Sequence, residues 1–226
     1  MELHFDRELS ELRDLLLRMS AFAEQSVTGA LKALAERDSA LAARIRADDA
    51  RLDELEKEID ERCIQLIALR QPKARDLRLI FVTLKIGSEL ERIGDQAVSV
   101  ARRAIELNRE PPQKQLGDIP RMAEQAIGMI REAMDAFVYR KADLARGVIA
   151  SDEHVDRLNQ QLHRSLTNFI MENPQTINAA LNLMTVARKL ERMADHATNI
   201  AEEVVYLCEG RDIRHEHESM KDVTDG

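Results

Sequence analysis

The sequence predicts an all-α protein built from two tandem, sequence-related three-helix bundles, with six long antiparallel helices in total. Three observations predict this class. Glycine and proline supply only 8 and 5 of the 226 residues, too few turn formers for a β-sandwich or barrel. Aromatic residues make up 3% of the chain, whereas alanine, leucine, glutamate and arginine are abundant, which favours helices. Apolar residues also recur every three or four positions over long segments, the period of an amphipathic helix.

The first half of the chain contains three such segments. The first helix is predicted from about Phe5 to Glu36, where apolar residues follow alternating steps of three and four. Arg37-Asp38-Ser39 offers a cap for a second helix, which ends at Gln71-Pro72. The third is predicted from about Leu79 to Leu107, so that helices two and three form a hairpin about Pro72.

The helical period lapses once, in a stretch that contains Pro111, Pro112, Gly117 and Pro120, and this lapse indicates a linker. Three further helices are expected after it, over about 122–139, 142–171 and 175–208. The predicted organisation is a first bundle at 1–108, a linker at 109–119, a second bundle at 120–210 and a polar tail at 211–226.

The two halves resemble each other in sequence. ALKALAERDSALAARIRADD, which begins at Ala30, aligns with AMDAFVYRKADLARGVIASD from Ala133, and KIGSELERIGDQAVSV aligns with TVARKLERMADHATNI. This pattern favours duplication of one three-helix unit over chance similarity between helices. Gly94, inside ERIGD, is costly in a helix and indicates either a close approach of another backbone or a tolerated small residue that matches Ala194.

Charge and cysteine content exclude several classes of protein. The formal net charge is −8 and the pI is near 5.4, which is not typical of a nucleic-acid-binding protein. Cys63 and Cys208 are far apart and indicate neither a zinc motif nor a disulfide framework. No apolar run approaches the ~18 residues of a membrane span, and the start lacks a secretory signal, so we expect no membrane insertion and a cytoplasmic location.

Acidic residues four positions apart occur at corresponding places in both halves. Each pair puts two like charges on one helix face, which costs about 0.2–0.5 kcal/mol in an isolated helix. Asp49 and Asp95 both lie 23 residues from Pro72, and the second half repeats this spacing about Pro174 to within one residue. Each hairpin should therefore bring two pairs to one height: Asp49/Asp53 with Glu91/Asp95, and Asp152/Asp156 with Glu191/Asp195.

Such clusters repel unless cations neutralise them, and their oxygen ligands suit magnesium, manganese, calcium or iron. Asn199 and Glu202 continue the face of the last pair. The predicted metal ligands are Asp49, Asp53, Glu91, Asp95, Asp152, Asp156, Glu191, Asp195, Asn199 and Glu202. The alternative is a metal-free helical scaffold whose acidic faces are solvated.

Enzymatic activity is the third alternative and has little support. Ferritin-like di-iron sites use a glutamate three residues before a histidine, and none of the six histidines has one. The sequence also contains no glycine-rich phosphate loop and no nucleophile or zinc-protease motif. We therefore expect no enzyme, and assign no catalytic or cofactor-binding residue.

Four motifs together resemble the PhoU family of bacterial phosphate-transport regulators. They are Arg70-Gln71-Pro72, Asp76-Leu77-Arg78, the run ELERIGD at 89–95, and ERMAD at 191–195 followed by Asn199-Ile200. The resemblance extends from about Phe5 to His215. It implies paired three-helix bundles whose E(D)-x-x-x-D motifs hold multinuclear clusters of divalent or ferric ions, with magnesium, manganese, iron and zinc as candidates.

The resemblance also implies a function. The family is cytoplasmic, often homodimeric and non-enzymatic, and it restrains phosphate uptake and the phosphate-starvation response by contacting the sensor histidine kinase PhoR and the transporter ATPase PstB. This sequence departs from the family pattern in two places. The second repeat has Ala194 where the motif has glycine, and Arg102 stands at the counterpart of Glu202, so the first cluster is expected to hold fewer acidic groups.

Overall fold

A computed structural model describes residues 2–111 and 117–214, and this part of the chain is helical with no β-strand. The all-α prediction is confirmed. Residues 112–116 of the predicted linker and 215–226 of the predicted tail lie outside the described residues. The elements are α1 (Glu2–Ala35), α2 (Ser39–Ala47), α3 (Ala50–Arg70), α4 (Ala74–Leu107), α5 (Ile119–Tyr139), α6 (Ala142–Glu172) and α7 (Ile177–Glu209), with a 3-10 turn over Pro174–Thr176.

The second predicted helix is divided in two, at Asp48 and Asp49. Asp38 caps α2 through its side chain, which accepts from the backbone N–H of Leu41 at 2.9 Å. Asp48 then ends α2, and two successive aspartates are poor helix formers. Asp49 nevertheless keeps helical dihedral angles, and its carbonyl accepts from the N–H of Asp53. The break therefore leaves Asp49 and Asp53 one turn apart on the same face.

Four helices form the centre of the molecule. The long helices α1, α4, α7 and α5 pack successively against one another, and α5 closes the set against α1. The α2–α3 arm lies against α1 and α4, while α6 lies against α5 and α7. The two three-helix units thus pack side by side, and their apolar residues join in one core.

Polar contacts define the relative direction and register of α4 and α7. Lys189 Nζ donates to Gln96 Oε1 at 3.0 Å, and Lys85 Nζ donates to Glu203 Oε1 at 2.7 Å. Because the partners on α7 descend in number as those on α4 rise, the two helices are antiparallel. This register places Glu91 and Asp95 on α4 level with Asp195 and Glu191 on α7.

The hairpin between α3 and α4 turns at Gln71, whose left-handed φ of 47° ends α3 just before Pro72. Along the hairpin, a Cβ added to Gly94 would lie 2.2 Å from Leu52 Cδ2. What approaches Gly94 is therefore the Leu52 side chain and not another backbone, which was one of the two interpretations left open by the sequence. The missing side chain makes room for a larger one on α3.

Candidate functional site

The first acidic groove runs between α3 and α4 and contains Asp49, Asp53, Glu56, Glu91 and Asp95. Burial and then the charges of Asp95, Glu56, Asp53 and Asp49 raise the pKa of Glu91 to about 7. Repulsion of this kind acts over a few ångströms, so the side chains share one environment. The structure therefore brings together the four sequence-predicted ligands of the first half.

Glu56 joins this groove, although it was not among the predicted ligands. Burial raises its pKa, and the neighbouring charges of Asp60 and Asp53 raise it further, against a hydrogen bond from Ser88 and the charge of Arg92. Burial, followed by the charges of Asp95 and Asp53, likewise raises the pKa of Asp49. The first groove is thus richer in carboxylates than the presence of Arg102 suggested.

The second acidic groove runs between α6 and α7 and contains Asp152, Asp156, Glu191, Asp195 and Glu202. Burial and then the charge of Asp156 raise the pKa of Glu191, with a smaller contribution from Asp152. Two arginines oppose this shift, since Arg188 and Arg192 both lower the pKa of Glu191. Cations of the chain therefore offset part of the repulsion in this groove.

Asn199 lies between the second groove and the interface of α4 with α7. Its Nδ2 donates to Glu89 Oε2 at 3.0 Å, and His196 Nδ1 lies 2.7 Å from the same oxygen. Burial favours the neutral form of Glu89, but the hydrogen bonds from His196 and Asn199 outweigh it and lower the pKa of Glu89. The amide nitrogen of Asn199 thus donates to Glu89, and only the Oδ1 atom of Asn199 is suited to bind a metal ion.

Glu203 was not identified from the sequence. It is 5% exposed and lies among the apolar residues of α7, where Lys85 Nζ from α4 donates to its Oε1. Arg214 Nη1 lies 3.3 Å from the same oxygen. A glutamate within the apolar stripe of a helix is the one sequence signal that marks this residue.

The side-chain oxygen atoms of the second groove are of the kind that binds a metal ion. Asn159 follows Asp152 and Asp156 on α6, and Thr198 follows Asp195 on α7. Asn159 Oδ1 and Thr198 Oγ1 are buried without a hydrogen-bond partner in the structure. Buried oxygen atoms of this kind are stabilised by a cation or a water molecule.

No preformed metal centre accompanies these donors. Within 2–111 and 117–214, histidine, cysteine, aspartate and glutamate side chains form no group of three arranged to hold an ion. Ion binding would therefore require carboxylates to rotate towards a common point.

None of the helices in the described part of the chain has the length and apolar character that a membrane span requires.

Comparison with known proteins places this geometry in a family. The PhoU domain model matches residues 16–104 and 119–204. The phosphate-specific transport system accessory protein PhoU homolog of Pseudomonas putida is 42% identical over 218 residues, which are 93% of this chain and 83% of that protein. The homolog of Pseudomonas aeruginosa is 43% identical over 218 residues, with coverage of 93% and 88%.

Solved structures agree with these relatives. The crystal structure of PhoU from Pseudomonas aeruginosa superposes with a TM-score of 0.88 at 42% identity, and covers 92% of this chain and 100% of its own. The phosphate transport system regulatory protein PhoU from Streptococcus pneumoniae gives a TM-score of 0.84 at 28% identity, with coverage of 92% and 98%.

Proposed function

This chain belongs to the PhoU family, and from that premise we propose that it is a negative regulator of phosphate uptake and of the phosphate-starvation response. The names of its relatives, accessory or regulatory proteins of the phosphate transport system, support a regulatory role over a catalytic one. In this proposal the protein is a cytoplasmic, homodimeric adaptor between the transporter ATPase PstB and the sensor kinase PhoR.

The observation that supports a metal-dependent adaptor is the repulsion in the first acidic groove. After burial, the largest causes of the raised pKa of Glu91 are the charges of four carboxylates, and the pKa reaches about 7. Asp49 caps the N-terminus of α3 and Asp53 lies in its first turn, whereas Glu91 and Asp95 lie in the middle of α4. A bound cation would supply positive charge there and would join the two helices of the hairpin.

Such a site would act by holding a surface in one shape. Carboxylates from α3 and α4 that share an ion can no longer separate, so the outer face of the hairpin would present a fixed pattern of charge to a partner protein. The function requires no reaction at the ion, which agrees with the absence of catalytic motifs from the sequence.

Calorimetric titration with Mg²⁺, Mn²⁺ and Fe³⁺ tests the metal site. We expect the wild-type protein to bind at least one of these ions and Asp53→Asn/Asp95→Asn to lose the binding at the first groove. Asp14→Asn/Asp135→Asn is the matched control, since it removes two exposed aspartates on α1 and α5. Equal heats from the wild-type protein and the groove variant would refute the site.

A strain that lacks PhoU tests the regulatory function. With phosphate in excess, the wild-type chain should restore repression of a starvation-responsive reporter, and the groove variant should restore it less than the control variant. Co-purification with PstB and PhoR from the same cells tests the adaptor role. Repression without either partner would remove the adaptor mechanism and keep the regulator.

A metal-free scaffold is the second candidate, favoured by two observations. The described residues contain no preformed group of three ligands, and Arg188 and Arg192 already moderate the second groove. Anomalous diffraction at the manganese edge from soaked crystals separates the two functions, because a scaffold would give no peak near Asp95 or Asp195. Light scattering in solution tests the homodimer.

A further inference from the structure

We propose that an exposed apolar patch near the turn of the first hairpin binds an amphipathic helix of a partner protein, with basic residues of that helix placed against the carboxylates of the first acidic groove. This tip patch consists of Ile64 and Ile67 on α3 and of Leu77 and Phe81 on α4. The proposal rests on the adaptor function proposed above and assigns a surface to it. It does not require a bound metal ion.

The side chains of the tip patch are large, apolar and open to solvent. Ile64 is 63% exposed and Phe81 is 48% exposed, and Ile67 and Leu77 are also exposed. Single exposed apolar residues are common on protein surfaces, whereas a group of them at one place marks an interaction site. Two neighbouring helices contribute to this group, so it is a surface and not the edge of one helix.

The tip patch continues the first acidic groove towards the hairpin turn. Glu56 accepts a hydrogen bond from Ser88, and Cys63 Sγ lies 3.7 Å from the carbonyl oxygen of Ile80. These contacts set the register of α3 against α4, and in this register the two halves of the tip patch lie level with each other. The helical period places both halves on the helix faces that carry the groove carboxylates. The groove is therefore acidic along most of its length and apolar near the turn.

The carboxylates nearest to the tip patch repel one another. Asp60 lies one helical turn before Ile64 on the same face of α3. The charges of Asp60 and Asp53 both raise the pKa of Glu56, after burial as the largest cause. A basic side chain of a partner would lower this repulsion, so the acidic part of the groove is complementary to lysine or arginine.

The cations near this surface are already paired within the chain. Lys85 Nζ lies 4.7 Å from the centre of the Phe81 ring and donates to Glu203 Oε1 at 2.7 Å. Arg92, which opposes the shift of Glu56, donates to Glu89 Oε1 at 3.1 Å. They therefore leave part of the groove charge for a partner to neutralise.

The two ends of the tip patch differ in charge, which gives the partner helix a direction. Lys73 and Arg75 are exposed at the turn, whereas Asp60 and Glu56 lie at the groove end. The basic residues of the partner are therefore expected at the groove end of its apolar face. A third helix fits between α3 and α4 because side-chain ridges of one helix pack into the grooves of others.

Charge disfavours two other occupants. The chain has a net charge of −8, and the anionic cytoplasmic leaflet of a membrane would repel the groove. A second copy of this chain carries the same net charge, which opposes association through acidic surfaces. The homodimer proposed above is therefore expected to use another face.

The second repeat supports a role for the α4 half of the tip patch. Ile177 and Leu181 occupy the positions of Leu77 and Phe81 in the alignment of the repeats, and both are exposed. Burial in the core does not explain large apolar residues at these positions, since all four are exposed. Contact with another molecule does.

Fluorescence anisotropy with a labelled synthetic helix tests the tip patch, in EDTA so that no metal ion takes part. The probe has about 20 residues, with leucines at i, i+3, i+4 and i+7 and lysines at one end. We expect Phe81→Ser to weaken binding at least tenfold and Tyr139→Ser to leave it unchanged. Tyr139 is the matched control, because it is an exposed aromatic residue whose ring lies 5.8 Å from Lys141 Nζ.

A charge control tests the groove end of the surface. A probe with glutamates in place of the lysines should bind at least tenfold more weakly. Asp60→Asn should reduce the salt dependence of binding by the lysine probe, and Asp14→Asn should not. The proposal is overturned if the lysine probe does not bind, if it binds Phe81→Ser as tightly as the wild type, or if the two probes bind alike.

Two measurements test the other occupants and the fold of the variant. Phe81→Ser should keep the helical circular dichroism and the light-scattering mass of the wild type, and neither protein should sediment with phosphatidylserine vesicles. Loss of a dimer in Phe81→Ser, or vesicle binding that depends on Phe81, would assign the patch to a second copy or to a membrane and overturn the proposal. Leu77→Ser, at the other end of the α4 half, should weaken binding of the lysine probe as well.

Purified PstB and the cytoplasmic part of PhoR separate this proposal from the adaptor function. We expect Phe81→Ser to bind at least one of them tenfold more weakly than the wild type and Tyr139→Ser do. If Phe81→Ser binds both as the wild type does, the tip patch is not their docking surface and the adaptor function stands. If the wild type binds neither, the adaptor function fails, and the lysine probe decides whether the patch binds a basic helix.

Discussion

The two acidic grooves share one helical framework and differ in the charges around them. In the first groove, the charges of four carboxylates raise the pKa of Glu91 to about 7, and Arg92 opposes the shift of Glu56. In the second, Arg188 and Arg192 lower the pKa of Glu191 against the repulsion of Asp156. Duplication of the fold has therefore preserved the position of the carboxylates and not their electrostatic environment.

The largest expected difference between the grooves is in metal-dependent stability. A ligand at one hundred times its Kd stabilises a folded protein by about 2.7 kcal/mol. We expect Mn²⁺ to raise the free energy of unfolding by about this amount, and Asp53→Asn/Asp95→Asn to remove most of the gain. Urea unfolding with and without Mn²⁺ measures both.

The corresponding change in the second groove, Asp156→Asn/Asp195→Asn, should remove less of the gain, because arginine charge already offsets part of the repulsion there. Asp14→Asn/Asp135→Asn is the control and should retain the full effect. If both groove variants lost the same amount, the electrostatic difference between the grooves would have no consequence for ion binding.

The packing behind the grooves differs as well, at one pair of positions. Leu52 packs against Gly94 in the first repeat, whereas the corresponding residues in the second are Val155 and Ala194. A larger residue on one helix accompanies a smaller one on the other. Since a Cβ at Gly94 would lie 2.2 Å from Leu52 Cδ2, the two positions must change together.

Gly94→Ala should therefore destabilise the protein despite its favourable effect on helix propensity. Leu52 is 1% exposed and has little room to move, so overpacking should lower the free energy of unfolding by about 1–3 kcal/mol. Leu52→Val/Gly94→Ala, which reproduces the second repeat, should recover much of this loss. Urea unfolding in EDTA measures the free energy of unfolding of both variants. A Gly94→Ala protein more stable than the wild type would contradict the steric explanation.

The fold was predictable from the sequence because its signals are local. Apolar periodicity located the long helices, and Pro72 and Pro174 located their turns. The break at Asp48 was missed because no proline or glycine marks it and Asp49 keeps helical dihedral angles. The i, i+4 spacing of carboxylates likewise needs only one helix, so the acidic pairs were found.

The electrostatic environment of the site was not predictable, because it depends on contacts between distant parts of the chain. Lys85 and Glu203 are 118 residues apart, and Glu89 and His196 are 107 apart. The register of α4 against α7 decides these pairs, and periodicity carries no information about it. Arg214 was interpreted as part of a polar tail because polar residues without a pattern do not indicate that Ile213 is buried.

The smallest effect is a pH dependence that separates the grooves without metal. The pKa of Glu91 in the folded protein, about 7, exceeds the ordinary glutamate value of 4.5, so the folded state holds the proton more tightly. The contribution of this group to the free energy of unfolding is fully present below about pH 4.5 and is lost as the pH rises through 7. Glu91→Gln should therefore unfold at higher urea than the wild type at pH 8 in EDTA, by about 1 kcal/mol or less after solvent screening.

The difference between Glu91→Gln and the wild type should disappear as pH falls below about 4.5, where the glutamate becomes protonated in both states. Glu191→Gln should show the same sign and a smaller size, since Arg188 and Arg192 favour the charged form of Glu191. A larger pH-dependent gain from Glu191→Gln than from Glu91→Gln would reverse the ranking of the grooves. Carboxylate repulsion would then be stronger in the groove that has the arginines, and the position of those cations would no longer explain the asymmetry.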